Sequence, residues 1–220
     1  MVFLDKIMNK LNQYILFLIF CFFITGCEKS PEEVFSKAEE AFNTGNYRQA
    51  LKGFSQIVST HENWDRKNEA QEFVDNFPGK LYSHAEILKN EKKLKASIKA
   101  LNYIVKNYAD LEIAPRSQYL IGDIFMNDLK DFNEAITHYK NVVTKFSESR
   151  DEPHAQFMIG FIYANPQYGD IQDLEKAKAS YEKFLYKYPD HELVPSVKFE
   201  LENLGKDIND ISILKHISTQ

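Results

Sequence analysis

Cysteine is almost missing from this chain: Cys21 and Cys27 are the two in 220 residues, too few for a disulfide framework. Glycine and proline are also scarce, at eight and seven, which excludes a collagen-like or low-complexity chain. Positive charge is not in excess. Lys and Arg total 27 against 32 Asp and Glu, a formal net charge of -5, the reverse of the basic face that a nucleic-acid binder presents. The catalytic vocabulary is thin as well. There is no phosphate-cradling glycine loop, no Gly-flanked Ser elbow and no Cys pair for a metal. The six histidines, His61, His84, His138, His154, His191 and His216, are scattered, and His191-Glu192 lacks the second His of a zinc-protease helix. They read as surface or capping groups. Pairs such as Glu39-Glu40 and Asp151-Glu152 read as solvated helix faces or ends, and Lys89 to Lys99, with five Lys and one Glu, as a solvated helix face. No catalytic residue, metal site or small-molecule substrate is expected.

What is present is enough apolar material for a core, 44% hydrophobic and 14% aromatic residues. The opening differs from the rest. Lys6 and Lys10 form a basic head, Tyr14 to Ile24 is an apolar run of eleven residues, and Ile24-Thr25-Gly26-Cys27 closes it with small residues. This reads as a secretory signal over 1–26. A membrane-spanning helix needs about 20 apolar residues for a roughly 30 Å hydrocarbon layer, so a retained anchor is the weaker alternative.

Ser30-Pro31-Glu32-Glu33 is a helix start, with Ser as cap, Pro in the first turn and Glu completing a capping box. Helical periodicity then continues almost to the end. Between 132 and 146, Phe132, Ala135, Ile136, Tyr139, Val142, Val143 and Phe146 recur at steps of three and four, one face of an α-helix. Self-comparison adds a longer period. Pro115 to Phe125 aligns at a shift of 38 with Pro153 to Tyr163, and Tyr103 to Pro115 aligns at a shift of 80 with Lys183 to Pro195. Periods near 40 with two helices each mean a stack of hairpins in which every unit covers the apolar face of the next.

Ile24-Thr25-Gly26-Cys27 resembles the bacterial lipobox. That resemblance implies a covalent diacylglycerol and acyl lipid on Cys27, no other cofactor, and a short linker over 27–30. Glu28, where a retention signal would be Asp, points in that family to the outer membrane and a periplasm-facing chain. The repeats resemble the tetratricopeptide family: Ala38, Gly45-Asn46-Tyr47, Ala50, Phe54 and Ile57 in one unit; Ile121-Gly122, Phe125, Ala135, Tyr139 and Val142 in another; Ile159-Gly160, Tyr163, Ala177, Tyr181, Phe184 and Pro189 in a third. The resemblance implies an all-α, right-handed superhelical stack over 31–204. It comprises three clear units, one degenerate unit between Thr60 and Ala96, a closing helix after Pro195 and a tail over 205–220. Within the degenerate unit, Trp64 to Phe77 reads as an additional or elongated helix closed by Pro78-Gly79.

In that family the first helix of each unit lines a protein-binding groove. Correspondence places Phe35, Glu39, Phe42 and Asn43 there from the first unit, Arg116, Tyr119, Asp123 and Asn127 from the second, and His154, Phe157, Phe161 and Asn165 from the third. Packing between repeats is the competing assignment for Phe35, Tyr119 and Phe157. The combination resembles the repeat lipoproteins of the outer-membrane β-barrel assembly machine, which implies a non-enzymatic scaffold binding envelope proteins or extended peptides. Two alternatives stay open: a periplasmic coordinator of the Tol and Pal system, and an accessory of an envelope glycan enzyme.

Overall fold

A computed structural model describes residues 29–206. The signal segment, Cys27 and the tail beyond Lys206 lie outside the described residues. In chain order the elements are α1 (Pro31–Asn43), α2 (Tyr47–Thr60), α3 (Lys67–Asp75), α4 (Phe77–Asn90), α5 (Leu94–Asn107), α6 (Ile113–Asp123), α7 (Phe132–Lys145), α8 (Glu152–Ala164), α9 (Leu174–Lys187) and α10 (Val194–Glu202). A π-helical turn (Ile124–Leu129) extends α6, and a 3-10 turn (Pro166–Ile171) follows α8. There is no strand among the described residues, so the all-α expectation is met.

The helix starts follow from local chemistry. Ser30 accepts from the Glu33 amide at 3.2 Å, Asp131 from that of Glu134 at 3.1 Å, and Asp173 from that of Lys176 at 3.0 Å. Each satisfies an amide that the first helical turn leaves unbonded, a contribution of about 1 kcal/mol. All four second helices, α2, α5, α7 and α9, have 14 residues. The surplus over a shorter repeat period therefore sits at the ends of first helices, in the π turn after α6 and the 3-10 turn after α8.

The helices pack as hairpins, α1 with α2, α4 with α5, α6 with α7 and α8 with α9. The chain divides into two compact units between Val74 and Asp75. In the second unit α5 also packs on α6, α7 on α8 and α10 on α9, so each hairpin covers the next. Buried stripes make this possible: Ala135, Ile136, Tyr139 and Val142 on α7, and Ala177, Ser180, Tyr181 and Phe184 on α9. Full burial of one large apolar side chain contributes about 1.5–3 kcal/mol, which the exposed face of a lone hairpin would forfeit.

Two glycines set the closeness of the hairpins. A Cβ on Gly122 would lie 2.7 Å from the Tyr139 ring, and one on Gly160 would lie 2.6 Å from the Tyr181 ring. Only a residue without a side chain lets the tyrosine lie flat against the first helix.

Three expectations need correction. Trp64 to Phe77 is not one helix closed by Pro78-Gly79. α3 stops at Asp75, and Pro78 stands in the first turn of α4, where its missing N–H has no partner to lose. Lys89 to Lys99 is not one helix face either, because α4 ends at Asn90 and Lys92 takes the left-handed conformation, φ 61°, in the turn to α5. Third, Glu152 is not solvated. It is 1% exposed, accepts from the Lys187 ammonium and accepts from the Glu148 amide at 2.7 Å. Burial disfavours its charge, yet Lys187 and the Glu148 amide more than offset that and hold it below the ordinary carboxylate value.

Candidate functional site

Side chains spaced by three and four residues share one helix face. On α6 and its extension that stripe is Arg116, Tyr119, Asp123 and Asn127; on α8 it is His154, Phe157 and Phe161, with Asn165 at the helix end. The structure brings the two stripes together. Tyr119 meets His154 edge to face, with ring centroids 6.5 Å apart, and His154 meets His191 at 5.4 Å. Arg116 and Asn127 are exposed, while Tyr119, Asp123, His154, Phe157, Phe161 and Asn165 are half-buried. Such side chains have one surface fixed by the core and one left to face a ligand.

The first-helix face has a polar end and an aromatic end. At the polar end the Tyr139 hydroxyl donates to Asp123 Oδ1 at 2.6 Å. Burial raises the Asp123 pKa above the usual aspartate value, with the Tyr139 bond opposing. Asp151 is likewise raised by burial, against the pull of Arg116 and His154. Burial, reinforced by Glu86 and opposed by Arg116, pushes Tyr82 of α4 up to about 12. Arg116 acts on Tyr82 and Asp151, and Asp151 on Tyr82 and Asp123, so charges from α4, α6 and the residue before α8 influence one another. At the aromatic end Phe157 and Phe161 lie 6.1 Å apart, and Phe161 meets Tyr168, which stacks on Phe132 at 4.1 Å.

Asn165 has a local duty. Its side chain accepts from the Gln167 amide at 2.9 Å and starts the 3-10 turn, so its side-chain oxygen is already engaged.

The first unit departs from the expected groove. Phe35 is 1% exposed and Phe42 8%, so both are core residues and neither offers a surface to a ligand. The segment after α2 covers them. Phe35 packs on Phe54 and Trp64 at 5.2 and 5.4 Å, with the Arg66 guanidinium 3.8 Å from its ring centroid, and Phe42 packs on Phe73 at 5.0 Å. Arg66 also bonds Glu32 at 3.0 Å and Glu69 at 2.9 Å. Glu39 and Asn43 remain exposed beside this cover.

Sequence reading passed over Tyr82 and took Asp151 for a solvated helix end, though it is half-buried beside His154; His191 does cap, accepting from the Leu193 amide at 3.2 Å, and also meets His154. It also passed over Gln118 and Gln156, both visible in the 38-residue alignment. Gln118 Nε2 reaches His138 Nδ1 at 2.6 Å, and Gln156 Nε2 reaches Ser180 Oγ at 2.7 Å and the Ser180 carbonyl at 3.1 Å. Burial lowers the His138 pKa and so favours the neutral ring, whose Nδ1 can accept that bond.

A half-buried hydrogen-bonded aspartate, an exposed arginine and half-buried rings can bond and stack an extended polypeptide. Among the described residues no group of three or more His, Cys, Asp or Glu is placed to hold a metal ion. No helix among them is long and apolar enough to cross a membrane.

Comparison with known families matches residues 116–149 and 154–191 to the tetratricopeptide repeat. No curated protein matches the chain. The two matched stretches carry the whole of α7 and α9 and most of the first-helix face. Tetratricopeptide repeats are protein-interaction scaffolds and typically non-catalytic, and the match supports that role for this chain.

Proposed function

We propose that this tetratricopeptide-repeat chain is a lipid-anchored, non-enzymatic scaffold of the bacterial cell envelope. Its first-helix face holds other envelope proteins, in outer-membrane protein assembly. The observation that carries the binding role is the continuous half-buried stripe of Tyr119, Asp123, His154, Phe157 and Phe161 across two stacked hairpins. Core packing alone would bury these rings completely; a docking face needs them partly bare. Support for the anchor comes from the sequence, Gly26-Cys27 after a basic head and an apolar run. One acyl chain holds a protein only marginally, at about 0.8 kcal/mol per buried CH₂, whereas several chains on one Cys hold it stably.

Crosslinking in intact cells followed by mass spectrometry tests the reading. Recovery of β-barrel assembly subunits supports it; recovery of Tol or Pal components instead assigns the chain to the coordinator. Fractionation of a Cys27→Ala variant tests the anchor separately. Loss from the membrane fraction is expected, and unchanged retention contradicts lipidation at Cys27.

One observation favours an accessory role in glycan chemistry: Asp123 and Asp151 are two carboxyls with raised pKa on one face, and raised carboxyls can serve as general acids. Against it, Asp123 is committed to the Tyr139 hydroxyl and Asp151 faces Arg116 and His154. Turnover of an envelope glycan that disappears in both Asp123→Asn and Asp151→Asn would replace the scaffold reading.

A further inference from the structure

The other side of the same hairpins carries a second surface, formed by α7, α8 and α9. Between them lies a crevice of about 380 Å³, within the range of about 300–1,000 Å³ typical of ligand sites. Lys140, Lys176 and Lys183 stand around it. Lys140 Nζ donates to the Tyr163 hydroxyl at 3.2 Å, and the Lys140 and Lys176 ammoniums lie 5.6 and 5.4 Å from the Tyr163 ring centroid. A tyrosine that is itself nearly buried thus fixes two cations at the rim. Only Lys176 has a carboxylate, Asp173 at 2.7 Å; among the described residues Lys140 and Lys183 form no ion pair. Three ammoniums against one carboxylate leave unbalanced positive charge on a chain whose net charge is -5.

The floor differs from the rim. Gln156 and Ser180 line it but bond each other, Gln156 Nε2 to Ser180 Oγ at 2.7 Å and Ser180 Oγ to the Gln156 carbonyl at 3.2 Å. Most of their polar capacity is spent inside the protein, and Val143 and Ile159 make the rest of the floor apolar. A further feature lies on α9. Lys176, Lys183 and Tyr186 follow one another at steps of seven and three on one helix face, and Tyr186 is 90% exposed, the barest of the large hydrophobic side chains. Tyrosines of this kind recur as anchors at protein interfaces.

We propose that this crevice and Tyr186 form a second docking site, for an acidic segment of a partner protein that seats one apolar side chain on the Val143–Ile159 floor and its carboxylates at Lys140 and Lys183. A short open crevice with a partly apolar floor suits one side chain of an extended segment. A nucleic-acid backbone or an anionic bilayer calls instead for a broad run of cations. The site lies on a different stripe of α8 from Phe157 and Phe161, so it stands or falls independently of the first-helix face.

The test uses the full-length chain and three probes in fluorescence anisotropy: a short labelled peptide with one central Leu flanked by Asp and Glu, the same peptide with Lys in place of the acids, and phosphatidylglycerol vesicles. The acidic peptide binds, the basic one does not, and added salt weakens binding. Combined Lys140→Glu and Lys183→Glu weakens it by about tenfold or more, and Tyr186→Ala by about tenfold. Lys198→Glu on α10 leaves it unchanged. These are exposed or conservative changes, and circular dichroism checks that each variant keeps its helix content. Acidic-peptide binding that ignores the lysine reversals overturns the proposal, as does vesicle binding that the lysine reversals abolish while the acidic peptide stays unbound. Binding that emerges only after removal of residues 207–220 also overturns it, by giving the crevice to the chain itself.

Discussion

The repeats α6–α7 and α8–α9 are built on one frame and lined differently. In both, a glutamine of the first helix reaches the second helix, Gln118 to His138 and Gln156 to Ser180. In both, a glycine lies under a tyrosine ring, Gly122 under Tyr139 and Gly160 under Tyr181. An aspartate caps each second helix, Asp131 and Asp173. The difference is one position after the glycine, Asp123 in the first repeat and Phe161 in the second. Tyr139 therefore donates to a carboxylate at 2.6 Å, whereas the Tyr181 hydroxyl is buried with no partner among the described residues. An unsatisfied buried hydroxyl costs about 1–3 kcal/mol. The second repeat carries that cost and presents an aromatic ring to the first-helix face instead of an acid. Stability resides in the shared frame, and the lining residue is free to serve binding.

The largest effect should come from the frame itself. Gly122→Val and Gly160→Val each place a branched side chain where a single Cβ already meets a buried ring. A loss of about 2–3 kcal/mol is expected in both, measured by urea denaturation. A large loss in one repeat and none in the other would break the claim of a common frame. Next come the tyrosines. Tyr139→Phe strips a half-buried carboxylate of its donor and should cost about 1.5–3 kcal/mol, while Tyr181→Phe removes an orphaned hydroxyl and should be neutral or stabilising. Equal losses would mean that Tyr181 is satisfied after all.

The smallest effect is a pH dependence. The folded-state pKa of Asp123 is raised by burial, so the folded chain holds that proton more readily than the unfolded one. Its contribution is fully present below the unfolded aspartate value, about 3.9, and is lost as pH rises through the folded value. Asp123→Asn should flatten this part of the stability profile, and Phe161 offers no counterpart in the other repeat. An unchanged profile would show that Asp123 is not held above its ordinary value.

Much of this frame is legible in the sequence. The steps of three and four mark each helix, and the shift of 38 pairs Gln118 with Gln156 and Asp123 with Phe161 before any coordinates. What it does not convey is the consequence, since the Tyr139–Asp123 bond spans a turn and two helices. The turn at Lys92 carries neither glycine nor proline, so nothing in the Lys-rich stretch announces a positive φ. Glu152 and Lys187 are 35 residues apart, and a charged pair read along the chain looks solvated until tertiary packing buries it. Phe35 and Phe42 fit the groove pattern by spacing. Trp64, Arg66 and Phe73 cover them, from a segment that follows no repeat period.

The most direct test of the docking face is a photocrosslinker placed one position at a time in living cells, at Arg116 and Asn127 on the first-helix face and at the exposed Lys198 of α10, outside both docking surfaces. Adducts with the same partner from Arg116 and Asn127, and none from Lys198, are the predicted result. Adducts from Lys198 with none from the other two would contradict it.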